Sequence, residues 1–156
     1  MSEQSKHHQQ LLLHIATSFK TGKFQEQRLP LIETISRLEQ DLLKVESRMR
    51  HLHKEYQRIF PSEFPLGLVI QKNRSRPSLY WRGRDCYWSQ SYVKLFQCPS
   101  WTGFIRQQPK NVRDMLELFE ANRLALEWEY RTKYQALKAL RDWLKDVDLA
   151  LVSTGG

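Results

Sequence analysis

Apolar residues recur in alternating steps of four and three from Leu31 through Ile35, Leu38, Leu42, Val45, Met49, Leu52, Tyr56 and Ile59, with Glu, Lys and Arg filling most places between. That spacing marks one face of an α-helix. The helix is expected to start near Pro30, where a first-turn proline is tolerated. It should stop before Pro61 and Pro65, whose rings remove a donor and disfavour helical geometry in the residue ahead. A second run of the same period occupies Val112, Leu116, Phe119, Arg123, Leu126, Tyr130, Lys133, Leu137, Leu140, Leu144, Val147 and Leu151. Arg123 and Lys133 interrupt this seam, while Leu124, Trp128, Tyr134 and Trp143 widen its apolar side, which suits a bundle helix better than a bare zipper. A shorter stripe of Leu11, Leu12, Ile15 and Phe19 predicts an N-terminal helix over about residues 5–20, capped at Gly22.

The period changes between the two long runs. "LGLVIQKN", residues 66–73, is β-branched at its centre; "NRSRP" is turn chemistry; "SLYWR", "GRD" and "CYWSQ" follow. A two-residue turn with Gly83 first would set Arg82 opposite Asp85, Trp81 opposite Cys86, Tyr80 opposite Tyr87 and Leu79 opposite Trp88. Leu79, Trp81, Cys86 and Trp88 then share the core face, and Tyr80, Arg82, Asp85 and Tyr87 the outer one. The expected fold is mainly α with a small antiparallel β-hairpin or three-stranded sheet, an α+β arrangement whose long helices pack as a bundle. One domain is expected over residues 1–156, with a helical half (1–60), a basic aromatic hairpin and loop (66–108) and a long terminal helix (110–151). Trp101 and Phe104 are expected to plug the end of the bundle, with Asn111 capping the last helix.

Charge sharpens this picture once it is located. Of the net +8, residues 1–65 carry +2 and residues 114–156 carry −2; residues 66–113 carry +8, with nine Lys/Arg against the single acid Asp85. The same segment holds eight of the eighteen aromatics, so it is no disordered basic tail, a class poor in aromatic residues. A one-signed block on a folded scaffold is an electrostatic footprint for a polyanion. The candidate nucleic-acid-binding residues are Lys72, Arg74, Arg76, Arg82, Arg84, Lys94, Arg106 and Lys110 for phosphates, with Tyr80 and Tyr87 to pack on sugars or unpaired bases. The competing account of the outer face is a Tyr–Tyr and Arg–Asp cross-strand pair with no ligand.

Catalytic and metal chemistry find no pattern here. His51 and His53 are two apart and diverge on a helix, and no Gly-rich phosphate loop, H-E-x-x-H or nucleophile elbow occurs. Glu120, Glu127 and Arg131 read as solvated or salt-bridged positions. Cys86 and Cys98 have no metal spacing and are expected to be reduced. The chain is therefore expected to be non-enzymatic and without a cofactor. With no long apolar run and no signal-like start, it is also expected to be soluble and cytoplasmic, with no membrane partner.

The order of a helical half, strands with "SLYWRGRDCYW" and the helix "NVRDMLELFEANRLALEWEYRTKYQALKALRDWL" resembles the small accessory mobilisation proteins of integrative conjugative elements, over roughly residues 66–145. The resemblance implies an auxiliary DNA-binding role at a transfer origin, beside a relaxase on another chain, and no catalytic residues. DNA is then a more natural partner than RNA. The alternative expectation is a protein-interaction module, in which the seam from Leu31 to Ile59 zips with a second copy as a homodimer, or with a partner helix, and the basic middle meets an acidic protein.

Overall fold

Both four-three runs are helical, and the segment between them is a sheet. The computed structural model describes residues 6, 9–11, 13–14, 23–73, 76–84, 92–93, 96 and 99–155. In chain order these form helix α1 (Phe24–Ile59), strands β1 (Leu66–Asn73), β2 (Arg76–Gly83) and β3 (Tyr92–Val93), and helices α2 (Pro99–Arg106) and α3 (Lys110–Ser153). The strands make one antiparallel sheet in the order β1-β2-β3. The fold is thus mainly α with a small antiparallel sheet. The helix expected over residues 5–20 falls largely outside the described residues, of which 6, 9–11, 13 and 14 are helical.

Two helix starts differ from expectation. Helix α1 begins at Phe24, so Pro30 sits inside it. A proline there removes one backbone hydrogen bond, and the upstream stretch Gln25–Glu26–Gln27 offsets this with good helix formers and an acid in the first turn. The Pro30 carbonyl accepts from the Thr34 hydroxyl at 2.8 Å. At α3 the Pro109 carbonyl accepts from the N–H groups of Val112 and Arg113, both at 3.0 Å, which makes Pro109 the cap and puts Asn111 in the first turn.

The chain divides into two compact units, one of Met1–Lys44 with Glu129–Gly156, the other of Val45–Trp128. In the first, Leu31, Ile35, Leu38 and Leu42 of α1 are buried, as are Tyr130, Ala136, Leu137, Leu140 and Val147 of α3. Ion pairs join Arg28 to Asp148, Glu39 to Arg141 and Asp41 to Lys133; as one helix advances the other retreats, so they run antiparallel. These pairs are substantially exposed and fix register more than they stabilise. Burial of the leucines, about 1.5–3 kcal/mol each, does the holding.

The second unit is built around Tyr56. Its ring stacks on Phe60 at 4.6 Å and meets Trp81 and Phe119 edge-on at 5.2 Å, and its hydroxyl donates to the Leu66 carbonyl at 2.6 Å. Burial pushes that phenol far above the usual range, so it stays a donor. Val45, Met49, Leu66, Leu68, Leu79, Leu116 and Leu126 are also buried in this unit. Trp101 and Ile105 of α2 are buried, and Phe104 packs against Trp101 and Phe64, the aromatic plug expected of this segment. Across both units the seam from Leu31 to Tyr56 is covered apart from the half-buried Leu52, while Ile59 is 38% exposed.

The hairpin itself is a correction. Strand β2 pairs along its whole length with β1, from Leu66↔Gly83 to Asn73↔Arg76, so the two-residue connection falls at positions 74–75 and not at Gly83 and Arg84. Past Gly83 the chain continues alongside β1: the Arg84 N–H donates to the Pro65 carbonyl at 2.8 Å. Trp81 pairs with Val93 and Arg82 with Tyr92, in place of Cys86 and Asp85. The ladder closes across "NRSRP", as its turn chemistry suggested, and runs for eight residues with Leu66, Leu68 and Ile70 on the core face; the tight turn expected at Gly83–Arg84 is replaced by a longer connection to β3.

Candidate nucleic-acid interface

Alternation along β2 sorts its side chains as the sequence suggested, although the partner strand differs. Pro77, Leu79, Trp81 and Gly83 are buried, whereas Ser78, Tyr80 and Arg82 are half-buried and Arg76 is exposed. The outer face therefore carries Arg76, Tyr80 and Arg82. Opposite Tyr80 and Ser78 stand Val69 and Gln71, and the Tyr80 hydroxyl donates to Gln71 Oε1 at 2.8 Å, which lays its ring along the sheet.

Arg84 belongs to this surface by an unforeseen route. Its guanidinium lies across Gly67, where an added Cβ would come within 2.6 Å of Arg84 Nε, and its Nη1 donates to the Pro61 carbonyl at 3.0 Å. Glycine at position 67 is what lets the exposed Arg84 lie flat against the start of β1. The charge reaches His53 of α1: burial first, then Arg84, lowers the pKa of that imidazole and favours its neutral form.

Lys72 is placed differently from the expectation. By parity it stands with Leu66, Leu68 and Ile70, on the opposite side of β1 from the partners of Tyr80 and Arg82. Its Nζ reaches Glu46 of α1 at 3.6 Å. Arg106 is exposed in the last turn of α2, and Lys110 is exposed at the start of α3, 3.3 Å from Asp114. Arg74, Tyr87 and Lys94 lie outside the described residues, as do Asp85, Cys86 and Trp88 of the expected hairpin.

What fixes the tryptophan face is a charged clamp on α3. Glu120, buried at 8% exposure, accepts from the Trp81 indole N–H at 2.6 Å and from Arg123 Nε and Nη2 at 2.7 and 2.9 Å. Arg123 Nη1 then donates to the Leu79 carbonyl at 3.1 Å, and Glu127 accepts from the Leu79 N–H and the Ser78 hydroxyl. Among the described residues β3 pairs with β2 at Trp81 and Arg82, and beside that pairing α3 side chains satisfy the Leu79 backbone. Glu120 and Glu127, read as solvated or salt-bridged, are sheet ligands. The signal was present: Glu120, Arg123 and Glu127 fall three and four apart, on one helix face that interrupts an apolar seam.

Among the described residues no group of three His, Cys, Asp or Glu side chains converges as a metal site would, and no helix is long and apolar enough to cross a membrane. The arrangement of an exposed or half-exposed Arg/Tyr array on a braced sheet is chemically suited to anions that also offer flat apolar surfaces. Comparison of the chain with protein-family models, with curated proteins and with solved structures returned no match.

Proposed function

We propose that the protein binds nucleic acid without catalysing a reaction, and that the outer face of β2 with Arg84 is the contact surface. One observation carries this reading: the segment with the chain's whole surplus of +8 is also the segment that forms the sheet, so Arg76 and Arg82 flank Tyr80 on one strand face. Arginine forks suit phosphate oxygens and the tyrosine ring suits a sugar or an unstacked base. Arg74 and Lys94 of the same segment, which lie outside the described residues, are proposed as further phosphate contacts, and Arg106 and Lys110 add charge from α2 and α3. DNA is the preferred polyanion, and a role as an accessory factor in mobile-element transfer beside a relaxase is the biological setting; both rest on the resemblance of residues 66–145 alone.

The test is a binding series on duplex and single-stranded DNA at several salt concentrations, with Arg74, Arg76, Arg82 and Arg84 changed together to Ala. About four phosphate contacts predict a log–log salt slope near −3.6 on duplex, from roughly 0.9 per contact. The quadruple variant should keep its helical circular dichroism and lose most of the affinity. Equal binding by the variant, or a flat salt response of the parent protein, would remove the reading. Tight capture by an acidic polypeptide, with none by DNA, would turn the same face into a protein-docking surface.

A further inference from the structure

Lys72 and Arg84 stand toward opposite ends of β1; Lys72 forms an ion pair with α1, and the charge of Arg84 reaches His53 of the same helix. The Lys72 ammonium is 3.6 Å from Glu46 Oε1, and the same oxygen accepts from Arg50 Nη2 at 2.6 Å. One cation comes from a strand and the other from a helix, yet they stand no farther apart than those two distances laid end to end. Their bridging carboxylate is covered, its side chain 13% exposed, whereas Arg50 and Lys72 are 55% and 54% exposed. The anion lies beneath and the cations face out, with a local balance of +1. Arg50 and Lys72 hold Glu46 ionised below its usual range, so the triad keeps this form at neutral pH. Further along the same helix flank stands His53, within the field of Arg84.

We infer that the nucleic acid does not stay on the outer face but turns over the β1 edge onto the flank of α1, where Arg50 and Lys72 together hold one backbone phosphate. The inference rests on the nucleic-acid reading above. It enlists Arg50, which lies outside the basic segment and has a carboxylate partner in the free protein. Both cations are more than half exposed, and a phosphate presenting several acceptor oxygens can take over their outward donors while Glu46 remains below. Glu46 then has two effects: it gathers two like charges from different elements, and it competes with the ligand for their donors.

The experiment is anisotropy titration of the full chain against a labelled duplex over a range of salt. Arg50→Gln and Lys72→Gln should each weaken binding several-fold and reduce the salt slope by about 0.9, one phosphate contact. Glu46→Gln should tighten binding, and the gain should vanish when it is combined with Arg50→Gln and Lys72→Gln. The Glu55–Arg58 pair supplies the control: it is a second ion pair on α1, and Glu55, nine residues from Glu46, falls on the other side of the helix. Arg58→Gln and Glu55→Gln should leave affinity and slope unchanged. If a Gln variant loses helical signal, Lys72→Arg and Arg50→Lys, which keep the charge, must still bind as the parent does. Arg50→Gln and Lys72→Gln behaving like Arg58→Gln, while loss of Arg76, Arg82 and Arg84 still abolishes binding, overturns the flank path and spares the parent reading. No binding by the unaltered protein would instead remove the parent reading, and this path with it.

Discussion

At the scale of single residues, the most consequential contact joins Trp81 to Glu120. A buried carboxylate is tolerated only when its lone pairs are filled, and Glu120 fills them with the indole N–H and the Arg123 fork. Trp81→Phe keeps the ring in the core and deletes one donor, so urea denaturation should show a loss of about 1.5–3 kcal/mol. Glu120→Ala should cost more, about 3–5 kcal/mol, because it strands the Arg123 guanidinium at 17% exposure. Equal stability of Trp81→Phe and the parent would mean that the indole–carboxylate bond holds nothing. His53 makes a second residue-scale prediction. Its pKa is lowered in the folded protein from the 6.5 of the unfolded chain, so as pH falls below that value the unfolded state takes up the proton first and stability declines. Glu46 and Glu55, also lowered, lose their contribution only in more acid solution, below the ordinary carboxylate value of 4.5. The thermal midpoint of His53→Gln should therefore drop less than that of the parent between about pH 7.5 and 5.5; identical drops would show that the imidazole does not report this environment.

At the scale of elements, Gly67 is the point where β1 and the β2 exit are fitted together. The three atoms nearest a Cβ built there all belong to the Arg84 side chain, which is flexible. Gly67→Ala should therefore leave the ladder intact, with stability changed by no more than about 0.5 kcal/mol, since alanine costs a strand less than the open backbone of glycine. It should nevertheless lift the guanidinium away from Pro61, and DNA affinity should fall about as far as in Arg84→Ala. If Gly67→Ala binds as the parent does, the flat placement of Arg84 has no bearing on the ligand. How much of these elements could be read beforehand follows from the same physics. Helix periodicity is a local property of one segment, so the seams from Leu31 and from Val112 were legible, as was the alternation that puts Leu79 and Trp81 inward and Tyr80 and Arg82 outward. Pairing is a property of two segments. Gly83–Arg84 and Arg74–Ser75 both read as turns; the β1–β2 ladder closes across the second, whereas β2 runs through Gly83 and meets β3 at Tyr92 and Val93. The side of the sheet on which Lys72 stands follows from that register, because parity is fixed only once the strands are paired. Arg50 was invisible for another reason: only tertiary packing brings α1 beside the end of β1.

At the scale of the whole molecule, the question is whether location or total charge governs association. A net +8 attracts any polyanion at long range, and a smeared surplus would make every lysine equivalent. The chain is instead partitioned: the terminal segments cancel, at +2 and −2, and the sheet-forming segment holds the whole net charge. Matched triple substitutions separate the two accounts. Lys23, Lys138 and Lys145 are exposed residues of the helical unit, and changing all three to Gln lowers the net charge by as much as changing Arg76, Arg82 and Arg84. Beyond the Debye length, about 10 Å at 0.1 M salt, distant charges are screened, so the lysine variant should keep the parent's salt slope and lose affinity only slightly. The arginine variant should lose roughly 2.7 from the slope, at about 0.9 per abolished contact. If the two variants weaken binding equally at every salt concentration, the protein holds nucleic acid through its diffuse field and the sheet has no privileged role. If only the arginine variant flattens the salt dependence, the counterions are released at the outer face of β2.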